Sequence, residues 1–321
     1  LVRSVDMVVI NAPERQMIPL GLDHDSLQAI NPGVLFCRLD CFGGPRAGSK
    51  TQYIGYDDII QANSGIMSRF GRPETPEEHA HLGTLDVNCG FAAGLGMAVS
   101  LYHKQKTSKA TRARTSLSAV TNLAQIPFAF DYAGRQPFNE PSGRDALGNH
   151  ELSHFYKTSD GWIFLDSNPD ELGQLAKIEG LYGISDAKSV AEFLTSALKS
   201  APTSYWAEAF LAVDVAAAEP KSIEELRENN SRNADATVGI DRGSFAFSIY
   251  PDHPSGHCIT QIDQYAIRPS ESRIIAVTPT ERFGHSTRTV LRNVGYDDKA
   301  IESMLERKIA GLGWGKEYLP S

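Results

Sequence analysis

Asp6-Met7-Val8-Val9-Ile10-Asn11-Ala12-Pro13 is the stretch that decides how this 321-residue chain folds. A short apolar, β-branched run closed by Asn-Ala-Pro has the pattern of a buried parallel strand emptying into a loop. A short helical pattern follows, from Asp23 to Ile30, and Asn31-Pro32-Gly33 stops it. A second apolar run, Val34 to Leu39, then reaches Phe42-Gly43-Gly44-Pro45. Strand, helix and strand in that order predict one unit of an α/β fold, a doubly wound, Rossmann-like parallel sheet. Ligands in such sheets sit in the loops that follow the strands, which makes Asn11 a candidate contact. Upstream, Leu1 to Val5 reads as a helix end running straight into the strand, so the N-terminal part of the domain is expected to lie before this chain.

Downstream, apolar residues recur at helical spacing from Tyr56 to Arg69 until Gly71-Arg72-Pro73 breaks the pattern. The stretch Gly83-Thr84-Leu85-Asp86-Val87-Asn88-Cys89-Gly90 then passes from polar residues into a small-residue, apolar run, which places Asp86 at a loop-to-helix junction. A carboxylate there can cap a helix or act as a catalyst. The helix after it is predicted to reach about Lys106. Its glycines at 90, 94 and 96 cost about 1 kcal/mol each relative to alanine, a cost that close packing against a neighbour or a ligand would explain. Thr111 to Ser116 alternates like a strand, and Leu117 to Phe130 reads as a helix.

Tyr132 to His150, rich in Gly and Pro, is the clearest linker. Beyond it, His154–Thr158 and Trp162–Leu165 flank Ser159-Asp160-Gly161, a β-hairpin signature. Helical patterns fill 170–181, 189–198 and 204–211, and 235–268 is mixed strand and loop. Arg273–Val277 reads as a strand before two final helices, 287–294 and 297–308. The predicted domains are 1–131, a partial large domain; 132–150, a linker; 151–268, a smaller α+β domain; and 269–321, a segment returning to the large domain.

Lys plus Arg number 31 against 39 Asp plus Glu, a formal charge of −8 that argues against nucleic acid or an anionic membrane surface as partners. The apolar run from Ala92 to Leu101 is shorter than the roughly 20 residues of a membrane helix. Cys37, Cys41, Cys89 and Cys258 show no paired metal spacing and are too few for a disulfide framework, so a reducing cytoplasm fits best. His79 and His81 have no third ligand type nearby, and no metal is expected. Cys89 reads as a small packing residue.

Several stretches together resemble the class III CoA-transferases, the group that contains formyl-CoA:oxalate and carnitine CoA-transferases and α-methylacyl-CoA racemases. The carriers are Asp6–Asn11, Leu20-Gly21-Leu22 with Asn31-Pro32, Gly55-Tyr56-Asp57 with Gln61–Gly65, Leu85–Gly90, Tyr156 with Gly161-Trp162, Trp206, and Gly284–Thr287 through Gly295-Tyr296. Their order over nearly the whole chain is more specific than any one of them. A narrower resemblance is to the tandem members of the family, the dimethylsulfoniopropionate CoA-transferase/lyases, of which this chain looks like the C-terminal half.

The resemblance implies an interlocked dimer or a tandem homologous half as partner. It also implies acyl-CoA and a small carboxylic acid as substrates, with coenzyme A the only cofactor. It places the catalytic aspartate on Asp86, which would form an anhydride and then an aspartyl-CoA thioester. Contacts to CoA fall on Asn11, Tyr56, Asn88 and Gly90, with backbone N–H groups from Asn88 to Gly90 offered to an oxyanion. Gly143, Arg144 and Gly148, with neighbouring Asp145, replace the family's glycine-run lid. Tyr156 and Trp162, with Tyr56, are candidates for an aromatic wall around a sulfonium. Racemases carry a histidine in the segment where this chain has Tyr56, and a phenol with a pKa of about 10 is a poor base near neutrality. CoA transfer is therefore favoured over racemization, and a catalytically silent scaffold half is the rival of another class. Asp170 starts a helix or matches a second acidic residue of the racemases. Arg112 and Arg114 meet CoA phosphates or lie on a solvated strand face.

Overall fold

The computed structural model describes residues 1–43, 48–72, 74–78, 83–128, 130–135, 143, 146–233, 246–253, 257–262, 270–271 and 281–313. The chain forms two compact units, Leu1–Ala218 and Glu219–Ser321.

The first unit is built on the expected parallel sheet. Strand β1 (Met7–Ile10) pairs with β2 (Leu35–Asp40) in the register Met7↔Leu35, and β2 pairs with β3 (Arg112–Ser116) in the register Phe36↔Arg112. Strand β2 is the middle strand and is buried along nearly its whole length, as its unbroken apolar start requires. Successive side chains point to opposite faces, and helices cover both. Phe36 packs with Met17 of helix α1 (Glu14–Met17) and Leu27 of α2 (His24–Ile30). On the other face, helix α5 (Thr84–Thr107) approaches closely enough that a Cβ on Gly96 would stand 3.2 Å from that of Ala113. Gly96 is thus a packing glycine, whereas Gly90 and Gly94 face open space.

The helical pattern 56–69 is two helices, α3 (Asp57–Ser64) and α4 (Ile66–Phe70), because Gly65 takes a left-handed conformation, φ 89°, between them. Helix α6 (Leu117–Ala124) is shorter than expected; a 3₁₀ turn, Ile126–Phe128, follows where Pro127 has no N–H to continue it. Helix α5 is long and apolar enough to cross a membrane by length and composition, a test that the run Ala92–Leu101 alone does not meet. It packs against β2, β3 and α6 and leaves Val87, Phe91, Leu95 and Val99 exposed along one stripe.

The rest of this unit is a four-stranded antiparallel sheet. Strands β4 (Gly148–His150), β5 (Ser153–Lys157), β6 (Trp162–Asp166) and β7 (Ala216–Ala218) follow one another in order. The hairpin is as read, Lys157 opposite Trp162. Helices α7 (Leu172–Leu175), α8 (Val190–Ala197) and α9 (Thr203–Ala212) close a core centred on Trp206, Phe210, Ile163 and Leu165. Of the pattern 170–181 only Leu172–Leu175 is α-helical, and Asp170 lies in a 3₁₀ turn capped by Asn168. Asp160 of the hairpin turn accepts from the backbone N–H of Thr203 at 2.8 Å and so caps α9.

The second unit begins with α10 (Ile223–Asn230), closed by a Ser222/Glu225 capping box. A sheet of order β10-β9-β8 follows, formed by β8 (Ser231–Asn233), β9 (Phe247–Tyr250) and β10 (Ile259–Ile262). Helices α11 (Thr287–Asn293) and α12 (Asp298–Glu306) end the described part, with Ile301 fully buried. The strand read at 273–277 lies outside the described residues, as do His79 and His81.

Candidate active site

A cavity of about 470 Å³ opens at the carboxyl ends of the parallel strands. Its walls come from the loop after β1 (Asn11, Pro13), the end of β2 (Asp40, Cys41), the start of α6 (Leu117), the approach to α3 (Gly55, Tyr56) and the first turns of α5 (Asp86, Cys89). The structure therefore brings Asn11, Tyr56 and Asp86 together, at the end of the sheet where α/β folds bind ligands.

Asp86 is the third residue of α5, inside the helix rather than at its mouth. The cap position belongs to Gly83, left-handed at φ 55°, which has no side chain to offer. Capping is done from another element. The buried carboxylate of Asp57, at the start of α3, accepts from the backbone N–H of Leu85 at 2.7 Å and of Asp86 at 3.0 Å through one oxygen, Oδ2. Its Oδ1 accepts from the Gln61 side chain. The capping role thus falls on Asp57, and the Asp86 carboxylate has no hydrogen-bond or ion-pair partner among the described residues.

Burial at the cavity wall, followed by the charges of Asp57 and Asp58, raises the pKa of Asp86 above the usual carboxylate value. The same surroundings keep the neighbouring thiols protonated. Cys89 is pushed up to about 11, mainly by burial. Cys41 is raised for the same reason and donates to the Gly55 carbonyl at 2.7 Å.

Other expected contacts stand differently. Asn88 and Gly90 lie within continuous α-helix, where backbone N–H groups bond the carbonyls four residues back, so they have none to offer an oxyanion. Tyr56 is 71% exposed at the cavity mouth. Tyr156 is 3% exposed in the second core, its hydroxyl donating to the Glu151 carbonyl at 2.6 Å. Trp162 lies on the hairpin under Lys157, and neither aromatic lines the cavity. Gly148 is required by strand pairing, since a Cβ there would stand 2.2 Å from the Ser153 carbonyl oxygen. Gly143 is left-handed, φ 71°, beside Phe70 and Glu77. Arg144 and Asp145 lie outside the described residues.

Sequence reading gave no role to Asp40. It is 7% exposed, and its Oδ2 accepts from Arg38 Nε at 3.0 Å and from Arg114 Nε and Nη2 at 3.2 and 2.8 Å. Arg114, on the same exposed strand face as Arg112, is therefore a clamp on the end of β2. The signal was there in Arg38 and Asp40, two charges inside an otherwise apolar strand. Among the described residues no group of three or more His, Cys, Asp or Glu could hold a metal ion.

The chain belongs to CoA-transferase family III, whose model matches residues 1–246. It is 70% identical over all of its 321 residues to the CoA-transferase/lyase DddD of Marinomonas sp. (strain MWYL1), of which it covers 38%. It is 27% identical over 194 residues to the succinate–glutarate CoA-transferase of Agrobacterium fabrum, covering 60% of this chain and 47% of that one. The chain thus spans less than half the length of either relative. A solved CaiB/BaiF family protein from Brucella suis superimposes with a TM-score of 0.67 at 19% identity, over 91% of this chain and 76% of that one, which shows the shared fold.

Proposed function

We propose that this chain carries the nucleophile of an enzyme moving CoA between carboxylic acids, and that the nucleophile is Asp86. One observation carries the reading: a carboxylate with no partner among the described residues, relieved of capping by Asp57, in a cavity at the carboxyl ends of the parallel strands. A carboxylate oxygen of Asp86 attacks the thioester carbonyl, the C–S bond breaks, and CoA leaves as thiolate. The thiolate then attacks the aspartyl carbonyl of the mixed anhydride and expels the donor acid, leaving an aspartyl-CoA thioester. The acceptor carboxylate attacks that thioester, and the returning thiolate completes acceptor-CoA and frees Asp86. Each exchange conserves charge, so no outside proton is needed.

The 70% identity to a CoA-transferase/lyase supports a finer reading, with dimethylsulfoniopropionate as acceptor. A base then removes the proton α to the new thioester, and the C–S bond to the sulfonium breaks, giving dimethyl sulfide and the unsaturated acyl-CoA. The exposed ring of Tyr56 at the cavity mouth offers a π face to that cation. On this reading a homologous half or a second protomer completes the pocket over the apolar stripe beside Asp86.

Incubating the full-length enzyme with acetyl-CoA and trapping with hydroxylamine or borohydride tests the nucleophile. Mass spectrometry should find the label on Asp86, and near-native turnover by Asp86→Asn would refute the assignment. Dimethyl sulfide in the headspace over enzyme, acetyl-CoA and dimethylsulfoniopropionate tests the finer reading. Transfer without gas would leave a transferase and remove the lyase.

A further inference from the structure

Helix α5 begins in an unusual way for a 24-residue helix, with a left-handed glycine at its cap position and no side-chain cap of its own. The N–H groups of the first turn still need acceptors. Two of them, those of Leu85 and Asp86, converge on one oxygen of Asp57, 28 and 29 residues earlier. The other oxygen takes the amide of Gln61, one turn along α3. Asp57 is 5% exposed and Gln61 1%, so this arrangement is set by packing rather than by solvent.

We propose that Asp57 is a positioning residue for Asp86, fixing the nucleophile's own backbone N–H and placing a fixed negative charge behind it. The inference rests on Asp86 being the nucleophile.

Two consequences follow from the geometry. The hydrogen bond to the Asp86 N–H sets where its Cα stands, and through it where the carboxylate points. A nucleophile must hold near-attack geometry, and an ångström of displacement costs about a hundredfold in rate. The second consequence is electrostatic. The N-terminal end of a helix favours an anion and would by itself lower the pKa of Asp86. A carboxylate bonded to that end offsets the effect, and Asp57 is the leading charge among those that raise Asp86. A more basic carboxylate is the better nucleophile so long as it is ionised at working pH.

Among the described residues, the titratable groups around Asp86 are Asp57 and Asp58 on α3, Tyr56 just before it, Cys89 one turn along α5, and Cys41 with Asp40 at the end of β2. Asp40 is paired with Arg38 and Arg114 and is not among the charges that raise Asp86, and burial keeps both thiols protonated. Asp57 is thus the buried charge free to act on Asp86.

Two substitutions separate position from charge. Asp57→Asn keeps an oxygen for the two N–H groups and removes the charge. The acid limb of the pH–rate profile should move down, and kcat at pH 7.5 should fall by about threefold at most, with KM for acetyl-CoA within about twofold. Asp57→Glu keeps the charge and displaces the oxygen, so kcat should fall about a hundredfold while the acid limb stays in place. Should one variant fail to fold, the other still decides. The proposal is overturned by an unmoved acid limb in Asp57→Asn, or by native kcat in Asp57→Glu. If Asp86→Asn is inactive while the Asp57 variants behave as wild type, only this inference fails. If Asp86→Asn is active, the nucleophile assignment fails with it.

Discussion

Asp40→Asn should loosen the parallel sheet by about 3 kcal/mol, and the structure says why it is not less. Asp40 receives three charge-assisted N–H groups on one oxygen, from Arg38 and Arg114. The Arg38 side chain is 8% exposed and cannot be rehydrated in place, whereas that of Arg114 is 35% exposed and can turn to water. Removing one partner of a buried pair costs about 3–5 kcal/mol, mostly for the charge left behind. The low end applies because Glu14 still stands 3.2 Å from Arg38 Nη1. The order of the single variants follows. Arg114→Gln should cost about 1 kcal/mol, being the solvated partner, and Arg38→Met should be milder than Asp40→Asn, because it leaves Asp40 on Arg114. A chain of two compact units need not unfold in one step, so native-state hydrogen exchange is the better assay. Amides of β2 and β3 should exchange about 150-fold faster in Asp40→Asn, the equivalent of 3 kcal/mol at a factor of ten per 1.4 kcal/mol. Those of β5 and β6 should not change. Acceleration under about fivefold, or a larger loss in Arg114→Gln than in Asp40→Asn, would refute the charge argument.

Asp86→Asn should lose CoA transfer without losing stability at neutral pH. Because the folded-state pKa of Asp86 is raised, its ionised form opposes folding above that pKa, and the penalty vanishes as pH falls and both states protonate. Calorimetry of the variant at pH 7.5 should show a melting temperature equal to or above wild type. In the wild type, kcat/KM should fall with acid through a pKa above 3.8, the ordinary carboxylate value, as Asp86 protonates. Tyr156→Phe should cost about 1 kcal/mol for the lost bond to the Glu151 carbonyl and leave turnover unchanged, and a fall in kcat would return Tyr156 to the site. Trp206→Ala, which empties a fully buried ring and removes its bond to the Leu198 carbonyl, should cost about 3–5 kcal/mol by denaturant unfolding followed at β5 and β6.

The elements that carry the cavity were legible because their signals are local. Val8, Val9 and Ile10 before Asn-Ala-Pro, and the apolar start of β2, announce parallel strands within a residue of their ends, but only β2 is buried as expected; β1 is the edge of the described sheet and leaves Val9 exposed. Asp160-Gly161 announces the hairpin. What failed to show was set by contacts distant in sequence or by single backbone conformations. Gly65 divides what periodicity joins, since a left-handed residue leaves the apolar spacing intact. Strand β7 is three alanines, with no β signal of its own; it exists through pairing with β6, Phe164 opposite Ala218. The aromatics of the hairpin, Tyr156 and Trp162, read as candidates for a binding wall, but Tyr156 points into the core around Trp206, a matter of strand parity against that core.

Asp86 shows the same limit most sharply. The residue could be found from its surroundings in sequence, yet whether it capped a helix or stood free depended on an acceptor 29 residues away. A glycine at the cap position was the available clue, since a long helix with no local cap must borrow one. Asp57 supplies it, and the loan changes the chemistry of the debtor. Had Asp86 taken its own N–H groups, it would be stabilised as an anion and poorer as a nucleophile. With Asp57 holding them, its carboxylate has no partner among the described residues, and burial, followed by the charges of Asp57 and Asp58, raises its pKa. Two aspartates joined by one backbone hydrogen bond thus stand differently, the buried carboxylate ordering the helix and the other facing the cavity, because packing assigns the first-turn N–H groups to only one of them.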